Sequence, residues 1–507
     1  MPESISLTAA RQAGALVMVD IPGKTLDADT AAFLREHHVR AVCLFRKNLG
    51  SEAEIRQLTA DLRAVLGEHA LIGIDQEGGS VIRALSLPQA PAAMALGAIG
   101  DEALAEQVGA AVARGLQYLG INWNFAPVLD INNNPANPVI GERSFGEDPA
   151  LVTRLARAWM RGSLREGVAC CVKHFPGHGD THVDSHHALP TVDKSLAELE
   201  ALELIPFRAL TRGEHAAPAI MTAHIVYPQL DAEHPATLSK RVLTGILRES
   251  MGYQGVVITD ALMMRAVHDR YGHARAAVLA LQAGADMPLA QGSKDEQAAA
   301  IGAIAQALQS GAICADSAQL AQARLDRLAR AYPAQQRDYE AAQRSADDLL
   351  MHKAWAWGMC ALRGPQGEAV PPLPNQALRI ITQRSVATDG VSEAGLPAEA
   401  VAALFASFSD VQWVYLEDLR TLSAADTPGD ERFTVLVSNH RKRYGAQARG
   451  AQVDLHLALW NPFQVLDISA PAVVTWGYAA GALVALRAWL LGQASATTRP
   501  PVPLDIT

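Results

Sequence analysis

Paired cysteines are missing from this chain of 507 residues. Its five cysteines, Cys43, Cys170, Cys171, Cys314 and Cys360, form no CxxC and no paired framework. In a chain of this size that pattern points to a reducing compartment. Long apolar runs are missing too: none approaches the ~20 residues needed to span a bilayer. The first residues, MPESISLTAARQAGALVMVDIPG, lack a basic n-region and a small-residue cleavage site. Residues 15–21 therefore read as a first strand rather than a leader, and the expected location is the cytoplasm. Basic charge is not in excess, with 43 Lys and Arg against 53 Asp and Glu and a net charge of −10. That argues against a nucleic-acid partner and against an acidic membrane surface. No internal repeat and no low-complexity block occurs. A small-molecule substrate fits this balance, and oligomeric state is not legible.

What is present is a large potential core. Hydrophobic residues make up 49% and charged residues 19%, and the length suggests about two to four domains. Eight short apolar runs recur at 15–21, 40–45, 70–75, 121–130, 168–175, 218–226, 255–260 and 285–290. Amphipathic stretches separate them, for example 51–67, with Ile55, Leu58, Leu62 and Leu66 on one face. Strands apolar on both faces that alternate with helices imply a parallel sheet. Eight units predict a (β/α)8 barrel over residues 1–335, with a doubly wound sheet as the alternative on strand count alone. Residues 316–362 read as helical. Residues 336–376 are expected to be a helical connection and a linker, RGPQGEAVPPLPNQ, dense in Pro and Gly. Residues 377–507 carry five more apolar runs and a terminal helical stretch at 481–492, the pattern of a smaller second α/β domain.

In such barrels the working residues sit at the C-terminal ends of the strands. Asp75, Asp130, Lys173, His174, His224 and Asp260 fall there. One charged residue at a strand end is as readily a helix cap, but this many on one rim weaken that reading. The stretch KHFPGHGDTHVDSHH (173–187) adds five of the 16 histidines. Three readings are open on the residues alone. Histidines with an aspartate suit a metal ion, although Pro176, Gly177 and Gly179 oppose a helix that would align the i, i+4 spacing. A solvated polar loop is the second. The third is acid/base work, in which Asp184 holds His186 two residues away in one tautomer. Asp260 across the barrel mouth would then be a carboxylate nucleophile.

Four motifs together resemble the family 3 glycoside hydrolases, in the bacterial β-N-acetylhexosaminidase branch. They are DQEGGSVIR (75–83), IGERSFGEDP (140–149), KHFPGHGDTHVDSH (173–186) and GVVITDALMM (255–264). They occur in the family's order across the first domain. The C-terminal region resembles the second domain of two-domain members, so the resemblance implies a catalytic barrel followed by an α/β sandwich over 377–507. It further implies that Asp260 is the nucleophile and that His186, oriented by Asp184, is the general acid/base. Asp75, Arg83, Arg143, Lys173 and His174 would hold the sugar hydroxyls and N-acetyl group. No metal and no cofactor is implied.

The activity implied is that of a retaining exo-β-N-acetylglucosaminidase acting on GlcNAc-terminated saccharides or muropeptide fragments. A β-glucosidase or β-xylosidase of the same family, a metal-dependent hydrolase, a catalytically dead sugar-binding protein and phosphorolysis are the alternatives. The chain departs from the family pattern at Ser80, where a basic residue is common, and at Ala261, where the nucleophile motif often carries a second aspartate. The second domain is expected to be structural or to shape the leaving-group side. His224 has no clear role, and Trp123 is expected to pack the barrel rather than to carry sugar.

Overall fold

The computed structural model describes residues 5–184, 189–213, 215–388, 391–392 and 394–506. Eight strands, β1 (Met18–Asp20), β2 (Ala41–Leu44), β3 (Leu71–Ile74), β4 (Trp123–Asn124), β5 (Ala169–Phe175), β6 (Ala219–Thr222), β7 (Val256–Ala261) and β8 (Met287–Leu289), coincide with the eight apolar runs. They pair in parallel in chain order, and β8 returns to β1 to close a barrel. Closure removes the doubly wound alternative.

The intervening helices form for the reasons their sequences advertise. Helix Glu52–Leu66 starts at Ser51, whose hydroxyl and the Glu54 carboxylate make a reciprocal capping box, and it ends at Gly67. Its buried residues are Ile55, Leu58, Thr59, Leu62 and Leu66, the stripe that a 3.6-residue period places against the barrel.

Residues 316–362 differ from the single helical run expected. They form two helices, Ala315–Ala331 and Ala341–Gly358, followed by a strand, β9 (Cys360–Leu362). Pro333 lies in the break; it has no N–H to donate, and it disfavours helical backbone just before it. Strand β9 pairs antiparallel with β14 (Ala472–Val474). With β10 (Leu378–Gln383), β11 (Val411–Leu416), β12 (Phe433–Ser438) and β13 (Leu455–Ala458), they build a six-stranded sheet ordered β9–β14–β13–β12–β10–β11. All its other pairings are parallel.

Tryptophans join the two sheets' domains. The indole N–H of Trp355 donates to the Gln89 carbonyl at 3.0 Å, that of Trp460 to Glu142 at 2.9 Å, and that of Trp476 to the Gly358 carbonyl at 2.6 Å. Each ring is 0–1% exposed, so apolar burial and a satisfied N–H act at the same points.

Candidate active site

A pocket of about 400 Å³ opens at the C-terminal end of the barrel, within the range of small-ligand sites. Its polar wall begins at the end of β3. Residues Gln76–Gly78 and Val81–Ile82 form a two-stranded hairpin there. The buried Gln76 amide oxygen accepts the backbone N–H groups of Arg83 and Ala84 at 2.9 and 3.0 Å. Side chains alternate along extended backbone, so pinning Gln76 inward turns Asp75 and Glu77 together toward the pocket. Lys173 rises from β5 between them. Its ammonium lies 2.7 Å from Asp75 and 2.6 Å from Glu77. Arg143 grips Glu77 through two bonds of 2.9 Å. Arg83 stands 3.9 Å from Asp75. Burial alone would raise the Glu77 carboxyl, but Arg143 and Lys173 hold it well below the ordinary carboxylate range. Burial alone would lower Lys173, and the Asp75 and Glu77 charges reverse that.

The histidine stretch is carried by Asp130, which is fully buried. One carboxylate oxygen accepts the backbone N–H groups of His174 and His178 at 3.1 and 2.7 Å, and the other lies 2.6 Å from His174 Nδ1. That contact assigns the proton to Nδ1 and leaves Nε2 for a ligand. Burial, aided by His174, lowers His178 to about 4, so its imidazole is neutral near neutral pH. The Asn137 amide donates to the His178 and Gly179 carbonyls at 2.8 and 2.9 Å. A Cβ on Gly179 would sit 1.6 Å from the Ile131 carbonyl oxygen, so only glycine lets the loop lie this close. The bonds Lys173–His174 and Phe175–Pro176 are cis.

Asp260 stands at the end of β7 on the opposite side, and its Oδ1 accepts the Ala261 N–H at 2.8 Å. Behind it, His224 is fully buried, with Nε2 donating to the Ala261 carbonyl at 3.0 Å and Nδ1 2.8 Å from Thr237 Oγ1. Met221, Met263, Met264 and Phe125 supply apolar surface. Phe125 fits because β3 carries glycine beside it: a Cβ on Gly73 would lie 2.6 Å from the ring.

Asp75, Arg83, Arg143, Lys173, His174 and Asp260 thus line one pocket. Asp184 does not; it is 9% exposed and lines a neighbouring cavity between the barrel and the second domain. His186 lies outside the described residues. His224 buttresses β7 and does not line the pocket, and Asp130 holds the loop from beneath it. Trp123 is buried edge-on against Phe125, as barrel packing.

Sequence reasoning missed several contributors. Glu77 was visible in DQEGG but unassigned. Val391, from the second domain, lines the pocket, and its carbonyl accepts Arg83 Nη2 at 2.7 Å. A main-chain acceptor leaves no mark on composition or spacing. Ser80 also finds its reason here: its hydroxyl donates to Glu142 at 2.5 Å and lies 3.2 Å from Ser392 Oγ. Burial raises the Glu142 carboxyl, against the opposing charge of Arg441. The second domain therefore brings a cation to a place where the barrel itself has serine.

Comparisons with known proteins bear on this arrangement. The family model described as "Glycosyl hydrolase family 3 N terminal domain" matches residues 8–328. The beta-hexosaminidase of Chromobacterium violaceum is 40% identical over 368 residues, which is 70% of this chain and 98% of that protein. A glycoside hydrolase family 3 beta-N-acetylglucosaminidase from Paenibacillus sp. str. FPU-7 superposes with a TM-score of 0.86 at 33% identity, covering 99% of this chain and 100% of that one. NagZ from Neisseria gonorrhoeae, solved in complex with a zinc ion, superposes with a TM-score of 0.56 at 33% identity, over 67% of this chain and 97% of that one. Among the described residues of the present chain, no group of three or more His, Cys, Asp or Glu side chains is placed to hold a metal ion.

Proposed function

The chain belongs to glycosyl hydrolase family 3 and is a glycoside hydrolase, and on that footing we propose that it is a retaining exo-β-N-acetylglucosaminidase. It removes one non-reducing N-acetylglucosamine at a time, from peptidoglycan fragments in the cytoplasm. One observation carries the reading. Asp260 faces the Asp75–Lys173–Glu77–Arg143 cluster across a single pocket of about 400 Å³. A nucleophile opposite a fixed hydroxyl-binding wall in so small a space suits one terminal sugar. The names of the relatives support the N-acetylated hexose, and the five unpaired thiols support a reducing compartment.

The roles follow from the chemistry of each group. Asp75 accepts hydrogen bonds from sugar hydroxyls while Lys173 and Arg83 fix its orientation. Arg143, held by Glu77, donates to hydroxyl or N-acetyl oxygens, and His174, through Nε2, accepts a hydrogen bond from a sugar hydroxyl. The Asp260 carboxylate attacks the anomeric carbon as the bond to the leaving oxygen breaks, and protonated His186, oriented by Asp184, gives that oxygen its proton. Water then attacks the same carbon and yields a proton to neutral His186, and Asp260 departs as carboxylate. Two inversions retain the configuration.

The test is nitrophenol release from nitrophenyl N-acetyl-β-D-glucosaminide, with the β-glucoside in parallel and a chelator present. Turnover of the N-acetylated substrate, resistant to chelator and lost in Asp260→Asn, is the expected result. Preference for the glucoside, or turnover abolished by the chelator, would overturn the reading.

A further inference from the structure

The barrel's ladder of backbone hydrogen bonds gives out where Asp260 stands. On one side, β6 pairs with β7 through Ala219–Val256, Ile220–Val257 and Met221–Ile258, and among the described residues no further. On the other side, Met287 of β8 faces Ile258 and Leu289 faces Ala261, so three steps along β7 oppose two along β8. An extra residue of this kind bends a strand and re-aims its side chains. It falls at Thr259 and Asp260, and side chains take over there. Thr259 Oγ1 accepts the Leu289 N–H at 2.9 Å on the β8 side. On the β6 side the substitute is His224, two residues past the end of β6.

Ala261 transmits the restraint. Its N–H is bound by Asp260 Oδ1 at 2.8 Å, and its carbonyl accepts the Met264 N–H and His224 Nε2, both at 3.0 Å. A carbonyl only accepts, so Nε2 carries a proton. In the neutral imidazole Nδ1 is then bare, and it faces the Thr237 hydroxyl at 2.8 Å. That hydroxyl also lies 2.9 Å from the Ala223 carbonyl and has one proton for the two. Giving it to the carbonyl would set two lone pairs against each other at Nδ1, so it goes to His224. The Thr222 hydroxyl, 2.8 Å from Thr237 Oγ1, supplies the next donor. The chain runs one way, from Thr222 through Thr237 and His224 to Ala261. Its three side chains are fully buried, and none of them lines the sugar pocket.

We propose that His224 is a positioning residue for the nucleophile. Through Ala261 it holds the Asp260 carboxylate in line with the anomeric carbon, and Thr237 selects the imidazole tautomer that can do so. The proposal rests on the hydrolase reading above. The wall that would hold the sugar, Asp75, Lys173, Glu77 and Arg143, lies across the pocket and shares no hydrogen bond with this chain among the described residues. Loss of the chain should therefore slow bond making and leave sugar binding in place. A displacement of about 1 Å at the attacking group costs about a hundredfold in rate.

The experiment measures kcat and KM on the nitrophenyl N-acetylglucosaminide, and competitive inhibition by free N-acetylglucosamine, for the wild type, His224→Ala, His224→Gln and Thr237→Val. His224→Ala should lower kcat about a hundredfold, with KM and the inhibition constant within about twofold of wild type. His224→Gln, whose amide nitrogen can offer the same carbonyl a proton, should recover most of that loss. Thr237→Val keeps the volume and removes the hydroxyl, and should lower kcat about tenfold with binding again unchanged. If His224→Ala does not fold, Thr237→Val decides, and an unmoved kcat overturns the relay. A loss of inhibitor binding that matches the loss of kcat also overturns it, because the barrel mouth as a whole would then have loosened. So does a folded His224→Gln that is no better than His224→Ala. If the wild type turns over neither the N-acetylglucosaminide nor the β-glucoside, the hydrolase reading falls and takes the relay with it. If the wild type is active and the variants match it, only the relay falls.

Discussion

Lys173→Met removes an ammonium that is 2% exposed and touches two carboxylates, at 2.7 and 2.6 Å. Methionine keeps the length of the stem, so the loss is one of charge. At such distances and an effective dielectric near 20, each pair is worth about 6 kcal/mol before desolvation. Desolvation of the ammonium cancels much of that sum. Removing one partner of a buried pair, however, leaves the other charge buried, and the net loss is about 3–5 kcal/mol. The two carboxylates do not suffer equally. Glu77 keeps both bonds to Arg143, whereas Asp75 is left with Arg83 at 3.9 Å. The destabilisation should therefore trace chiefly to Asp75, and adding Asp75→Asn should restore about 1–3 kcal/mol by removing the stranded charge. The assay is urea unfolding at pH 7 of the wild type, both single variants and the double variant, followed by circular dichroism and tryptophan fluorescence. A loss below about 1 kcal/mol for Lys173→Met, the scale of an exposed pair, would refute the reasoning. So would independent, additive effects of the two changes, because groups in contact must couple.

Two further outcomes are expected. Buried His178, His440 and His456 are lowered by burial to about 4, 4 and 3. Groups depressed in the fold contribute stability that is present above their unfolded value near 6.5 and is lost as pH falls through the folded values. Near pH 5 the unfolded chain should bind close to three more protons than the native one through these groups, and stability should fall by about 4 kcal/mol per pH unit. His456→Gln should make the pH dependence of the urea midpoint shallower by about a third, and an unchanged slope would count against the assignment. For the thiols, Cys314 is exposed and the other four are buried, with burial pushing Cys170 and Cys360 up to about 12. A chromogenic thiol reagent at pH 8 should titrate Cys314 alone in the native chain and all five cysteines after denaturation, and a second fast native thiol would contradict the burial.

The barrel was legible because its physics is periodic. Eight runs apolar on both faces can be buried only in a parallel sheet with helices outside, and all eight appear as strands. The rim was legible because Asp75, Lys173, His174 and Asp260 interrupt those runs at their C-terminal ends. Neither rule reaches the rest. Strand β9 has three residues and follows a helix with only Gly358 between the two patterns, and an isolated glycine is tolerated inside a helix, so it reads as the helix's tail. The part played by Val391 is a backbone carbonyl within SVATDGVSEAGLP, a stretch that looks like any exposed connection. Glu142 looks like surface charge inside ERSFGEDP, yet it is 1% exposed because Ser80, Trp460 and Arg441 gather around it. Contacts between domains depend on which loops meet, and local pattern carries no record of that.

The division of charge between the two domains has a consequence for selectivity. In the sugar pocket every rim cation is already engaged: Lys173 by Asp75 and Glu77, Arg143 by Glu77, and Arg83 by the Val391 carbonyl and Asp75. Such a wall presents oriented donors and acceptors with little net charge, which reads hydroxyl and amide positions on a neutral sugar and gains little from an ionic one. Discrimination by charge must then come from outside the pocket. A barrel with this rim would recognise the sugar it removes by the positions of its hydroxyl and amide groups rather than by charge.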